Sequence, residues 1–97
     1  MRESDPRVEL VWRELTNVID PEIGLDIVTL GLVYGVSVEN DVAIVTHTLT
    51  TPGCPMERLI TDRIHVAVGG VERVREVRTR IVWDPAWHSG MIAANAW

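Results

Sequence analysis

The chain contains one cysteine, Cys54, set in the run Thr50-Thr51-Pro52-Gly53-Cys54-Pro55. Proline suits the first position of a helix, where its missing N–H costs no hydrogen bond, so Pro55 predicts a helix that starts directly after the cysteine. The unpaired N–H groups and the dipole of such a helix place partial positive charge beside the sulfur. That field favours thiolate over thiol and lowers a cysteine pKa from its reference near ~8.5. Thiolate is the form that binds soft metals. Gly53 permits close approach of a ligand or partner to the sulfur. The hydroxyls of Thr48, Thr50 and Thr51 approach along the preceding strand, either as donors to sulfur or simply as good strand formers. The competing reading is an inert, buried cysteine.

A second group, Asp20, Glu22 and Asp26, lies upstream. Carboxylates near a thiolate can accept a proton, coordinate iron or fix the backbone. For Asp20 and Glu22 a site role and a turn-forming role both stand; Asp26 reads as structural. His47, His65 and His88 show no paired metal-ligand spacing, and His65 is expected on the solvent side of its helix. One cysteine excludes an internal disulfide, a C-x-x-C redox pair and a complete zinc-finger set. Any metal or cluster chemistry must therefore borrow ligands from outside the chain.

Composition narrows the function further. The formal net charge is −5 and all the basic residues are arginines, so sequence-independent nucleic-acid binding is excluded, because it needs a surplus of positive charge. Arg73, Arg75, Arg78 and Arg80 crowd one segment, interleaved with Glu72 and Glu76, and read as a solvated strand face or a dock for an acidic partner. No apolar run approaches the ~18 residues of a membrane span, and the first residues lack the apolar stretch of a secretory signal. The expectation is a cytoplasmic protein made of one domain over residues 1–97.

The elements that must position these residues are readable in order. Asp5-Pro6 predicts a helix start. Val8, Val11, Trp12, Leu15, Val18 and Ile19 then line one stripe, which predicts an amphipathic helix ending near Asp20, since Pro21 pushes the residue before it out of the helical region. Gly24 and Gly31 punctuate a structured connection. Residues 32–38 and 42–50, joined by Glu39-Asn40-Asp41, predict an antiparallel hairpin. Which face of the second strand is buried stays open, because Ala43, Val45 and Leu49 share a side with His47 while Val42 and Ile44 share the other with threonines. Residues 55–68 predict the second helix, with Leu59, Ile60, Ile64, Ala67, Val68 and Val71 on its apolar side and Gly69-Gly70 as its stop. Residues 74–83 predict a third strand. Trp83 and Trp87 bracket a proline turn and are expected to clamp the terminus onto the domain, and residues 89–96 predict a short helix capped by Ser89. The fold class is α+β: a two-layer sandwich in the order α-β-β-α-β-(short α), with helices on one face of a small mixed three-stranded sheet.

Four blocks now line up. Asp20-Pro21-Glu22, Asp26-Ile27-Val28-Thr29-Leu30-Gly31-Leu32-Val33-Tyr34, Leu49-Thr50-Thr51-Pro52-Gly53-Cys54-Pro55 and Trp83-Asp84-Pro85-Ala86-Trp87 resemble, in order, the signatures of the MIP18-like, or PaaD-like and SufT-type, metal-sulfur cluster assembly domain. The match runs from about Val8 onward. Ala86 departs from the more usual second proline, and the cysteine-bearing extension of the oxygenase-linked branch is lacking. The resemblance implies the iron-sulfur-cluster-assembly domain fold, a factor that carries or delivers clusters to client proteins, and a functional thiol at Cys54. Asp20, Glu22, Thr50, Thr51 and Gly53 would support it. The cofactor is then an iron-sulfur cluster, transient or shared with a partner, because one thiolate does not complete its ligand set.

Clients and other assembly factors are the expected partners, and a homodimer is compatible with this reading. Arg78, Arg80 and Trp87 are the candidates for partner contact. The alternative is a metal-free adaptor that docks clients, for example one linked to an aromatic-degradation oxygenase. A non-enzyme is expected. A cysteine-dependent enzyme with Glu22 or His47 as base ranks last, since no cofactor loop is present.

Overall fold

The computed structural model describes residues 5–50 and 56–93. Helix α1 (Pro6–Leu15) leads into strands β1 (Val33–Glu39) and β2 (Val42–His47); helix α2 (Met56–Gly69), strand β3 (Glu76–Ile81) and a short 3-10 turn (Ser89–Met91) follow. This is the expected order.

Helix α1 starts as the sequence predicts: Pro6 occupies its first turn, and the Asp5 carboxylate accepts a hydrogen bond from Arg7 N at 2.9 Å. It buries Val11 and Leu15. It ends at Leu15, well before Asp20. The apolar spacing continues through Val18 and Ile19, but Thr16 folds back on the last turn, its N–H and hydroxyl both donating to Arg13 O at 3.2 and 2.6 Å. Asn17 N and Val18 N likewise reach back only three residues, to Glu14 O and Leu15 O, the tightening with which helices often finish. Val18 is buried all the same, whereas Ile19 is exposed and forms an isolated bridge with Asp26.

Strands β1 and β2 pair antiparallel, β2 and β3 parallel, in the order β1-β2-β3. The hairpin turn has Asn40 at φ 51° and Asp41 at φ 67°. Positive φ at both central residues matches the twist of the flanking strands, and Asn and Asp tolerate it better than most residues. The register settles the face left open by the sequence. Val36, Val38, Ala43, Val45, His47, Val77 and Thr79 share the inner face, and Ala43, Val45 and His47 are fully buried. Gly35, Ser37, Glu39, Val42, Ile44, Thr46, Glu76, Arg78 and Arg80 share the outer face. Helix α2 covers the inner face with Ile60, Ile64 and Val68, each burial stabilising the fold by roughly 1.5–3 kcal/mol.

Where β2 begins, Arg7 ties three elements together. Its guanidinium donates to Asp5, to Asp41 Oδ1 at 2.7 Å and to Arg73 O at 2.8 Å, and Arg73 itself sits at φ 71°. The strands are shorter than expected. β2 stops at His47, beyond which Thr48 N still donates to Leu32 O at 2.8 Å, and β3 begins only after Arg75 N has bonded Asp41 O at 2.8 Å. The terminal helix is corrected too. Over the described residues it is the 3-10 turn Ser89–Met91, capped by His88 rather than Ser89, with His88 Nδ1 accepting from Gly90 N at 3.1 Å, and residues 94–96 of the expected helix lie outside the described residues. Ile92 is already extended, and Ala93 N donates to Thr29 O at 2.8 Å. No helix among the described residues is long and apolar enough to cross a membrane.

Candidate functional site

Strand β2 leaves the sheet through Thr48, Leu49 and Thr50, and α2 opens at Met56. Thr51, Gly53 and Cys54 lie outside the described residues, between those two elements. Thr50 is half-buried, while Leu49 and Thr48 are buried. The strand end is thus held deep in the domain.

The acidic connection is fastened to this strand end by a ladder of main-chain bonds. Asp20 N donates to Leu25 O, Ile27 N to Val18 O, Leu32 N to Ile27 O and Thr48 N to Leu32 O, all at 2.8–3.0 Å. Arg63 of α2 also donates to Ile19 O at 3.3 Å. Asp20 is buried, and its Oδ1 accepts from Glu22 N at 2.9 Å while its carbonyl accepts from Gly24 N at 2.7 Å and Ile23 N at 3.2 Å. This is the turn an aspartate before a proline builds, and Gly24 completes it at φ 84°. Glu22 is exposed in the same turn. Among the described residues, no hydrogen bond joins Asp20 or Glu22 to Thr50. Asp26 has its structural role: its carboxylate accepts from Val28 N, Thr29 N and the Thr29 hydroxyl at 3.1, 2.9 and 2.6 Å.

His47 and Thr48 carry a signal that the sequence only hinted at. Both are 0% exposed, yet among the described residues His47 Nε2 and the Thr48 hydroxyl have no hydrogen-bond partner. His47 Nδ1 lies 3.4 Å from Thr48 O, a contact too long to count for much. Burial pushes the imidazole below its ordinary pKa, and this outweighs the opposing pull of Thr48 O and of the Glu57 carboxylate in the first turn of α2. Burial thus favours the neutral imidazole, whose Nε2 has no partner among the described residues. Leaving such an atom unsatisfied costs about 1–3 kcal/mol. The place of His47 in the buried series Ala43, Val45, His47 was the sequence feature that could have exposed it.

Among the described residues, no group of three or more His, Cys, Asp or Glu side chains gathers within metal-holding reach. Arg78 and Arg80 are exposed on the outer sheet face; Arg78 pairs with Glu76 at 2.7 Å, and Arg80 has no partner among the described residues. Trp87 is half-buried, and its indole N–H donates to Leu30 O at 2.7 Å, so it fastens the terminal segment to the connection. Trp83 is 41% exposed and takes no visible part in that clamp. His65 is exposed, as expected.

Comparison with known proteins agrees with this architecture. Residues 9–79 match the family model described as an iron-sulfur cluster assembly protein. The iron-sulfur protein maturation auxiliary factor YitW of Bacillus subtilis is 41% identical over 80 residues, which is 81% of this chain and 78% of that protein. SufT of Staphylococcus aureus, also an iron-sulfur protein maturation auxiliary factor, is 42% identical over 80 residues, 81% of this chain and 91% of that protein. The crystal structure of a domain of unknown function, DUF59, from Bacillus anthracis superposes with a TM-score of 0.87 at 36% identity, covering 92% of this chain and 86% of that one.

Proposed function

The chain belongs to the iron-sulfur cluster assembly protein family and acts in iron-sulfur protein maturation; from that premise we propose that Cys54 supplies one thiolate to a cluster in transit, while the domain docks the protein that receives it. The cluster is cargo. One thiolate leaves its coordination incomplete, so the other ligands come from a partner, a small thiol or the client. Partial coordination is easier to surrender than a closed site, which suits delivery. The domain acts here as a carrier and not as a catalyst.

The observation that carries this reading is the pair of sealed polar atoms, His47 Nε2 and Thr48 Oγ1, which have no hydrogen-bond partner among the described residues, on the strand end that leads to Cys54. Polar atoms left bare inside a core are rare and call for a specific use. The 14-residue helix α2 that opens two residues after Cys54 adds the dipole needed to hold a thiolate. Thr50, Thr51 and Gly53 shape the approach to the sulfur in this reading, and Asp20 with Glu22 forms the facing turn. Client docking falls to the exposed Arg78 and Arg80 rather than to Trp87, whose polar atom is already engaged within the domain.

The test is Cys54→Ala purified without oxygen. Retained iron and sulfide should fall roughly tenfold or more, client activation should fall with them, and the circular dichroism of the fold should not change. Undiminished client activation would remove the cysteine from the mechanism.

A further inference from the structure

The two edges of the sheet are treated differently. Near the start of β1, the terminal segment lies across the chain: Tyr34 donates to Pro85 O at 2.7 Å, Trp87 to Leu30 O at 2.7 Å and Ala93 N to Thr29 O at 2.8 Å. The edge made by β3 has no such cover among the described residues. Glu76 N donates to Asp41 O at 3.3 Å and Val82 N to His47 O at 2.9 Å. Along a strand the direction of the main-chain groups alternates, and a parallel partner is bonded at every second residue. The even-numbered residues of β3 therefore face β2, while Val77, Thr79 and Ile81 turn their N–H and C=O groups outward. Among the described residues, those outward groups meet no hydrogen-bond partner.

Charge then selects what such an edge accepts. Arg78 and Arg80 stand on the uncovered outer face, about 6.6 Å apart along the strand. The Arg78 charge is partly answered by Glu76, whose carboxyl it holds below the usual range; Arg80 is unanswered among the described residues. Exposed edges are commonly guarded by charge, and these arginines repel basic strands while attracting acidic ones. A second copy of the chain is a poor occupant. In the two antiparallel registers that match inner and outer faces over five residues, Arg78 falls opposite either its own counterpart, with Glu76 opposite Arg80, or Arg80, and like charges directly opposite are destabilising, so a second copy answers the arginines less completely than an acidic strand does.

We propose that β3 is a docking edge for an extended acidic segment of a partner protein, which adds as a fourth strand with carboxylates at alternate positions over Arg78 and Arg80. Main-chain bonds to Val77, Thr79 and Ile81 supply affinity, and the two arginines supply selectivity, the division of labour known for strand addition. The surface lies on the sheet edge and outer face, so the proposal stands whether or not Cys54 carries a cluster.

The experiment titrates the full-length, isotope-labelled chain with a capped heptapeptide that alternates valine with aspartate. The amides of Val77, Thr79 and Ile81 should shift and exchange more slowly with solvent. Arg80→Glu should weaken binding roughly tenfold or more, as expected for loss of a charge-assisted contact. Thr79→Pro removes an outward N–H at an edge, where proline is tolerated, and should weaken binding several-fold with the fold's circular dichroism unchanged. Equal binding of a peptide of the same composition with its aspartates consecutive would overturn the proposal, as would unchanged affinity in both variants. Concentration-dependent shifts of the same amides without peptide would assign the edge to a second copy and overturn it as well.

Discussion

The two ends of β2 make opposite use of polar groups. Where the strand begins, Arg7 bonds Asp5, Asp41 and the carbonyl of Arg73, and the Arg7 guanidinium holds the Asp5 carboxyl below its ordinary range. These groups lie near the surface, where water could serve them, and they nonetheless pair. Where the strand leaves, His47 Nε2 and Thr48 Oγ1 are shut away from water and have no partner among the described residues. The first end is built for stability, locking helix start, hairpin turn and crossover together. The second accepts a cost of about 1–3 kcal/mol for each atom so left, next to the residues proposed above to handle the cluster.

This contrast can be broken at either end. The largest effect is expected from Asp41→Ala, which removes the Arg7 contact and forces alanine to φ 67°. Aspartate already carries a Cβ there but tolerates the left-handed region better than alanine does, and the Arg7 contact is lost with it, so urea denaturation should show a loss of about 1–2 kcal/mol. Asp41→Gly should recover the backbone share of it. A loss as large in the glycine variant would mean that the Arg7 contact, and not the turn, sets the cost.

The next effect runs the other way. His47→Met fills a similar volume without a bare nitrogen and should stabilise the protein by about 1 kcal/mol near neutral pH. It should also change the response to acid. Burial lowers the pKa of His47 in the folded state, so as pH falls the unfolded chain takes up the proton first. The histidine's contribution is therefore intact above its ordinary pKa near 6.5 and is lost as the pH drops through that value, until the folded imidazole also protonates. Denaturation curves from pH 7.5 to 5.5 should show a steeper loss for the natural protein than for His47→Met. Parallel curves would show that the imidazole titrates alike in both states.

The smallest effect belongs to Arg73→Gly. Relief of the left-handed backbone at φ 71° is offset in part by the added freedom of the unfolded chain, leaving a gain of about 0.5 kcal/mol in the same assay. A destabilised variant would show that the Arg73 side chain contributes something its backbone position does not reveal.

Most of the scaffold was legible because local chemistry and packing agree there. Asp5-Pro6 marks the helix start, Asn40-Asp41 the two-residue turn, and Ile60, Ile64 and Val68 the buried side of α2. Sequence reading went astray where an apolar pattern outlived the element that carried it. Val18 is buried from a turn, not from the helix, because the core needs the side chain and takes no account of the backbone beneath it. The candidate site was less legible. Cys54 stood out by its setting, and Asp20 by the proline after it, but the condition of His47 depends on which sheet face α2 covers. Alternation within one strand could not decide that. Arg73 at positive φ left no trace in its residue type at all.

The connection between α1 and β1 has one further property. Leu30 holds the indole of Trp87 through its carbonyl, and two residues later Leu32 holds Thr48 through its own. One three-residue stretch, 30–32, thus binds both the terminal segment and the residue at which β2 ends, so the two share a single point of attachment.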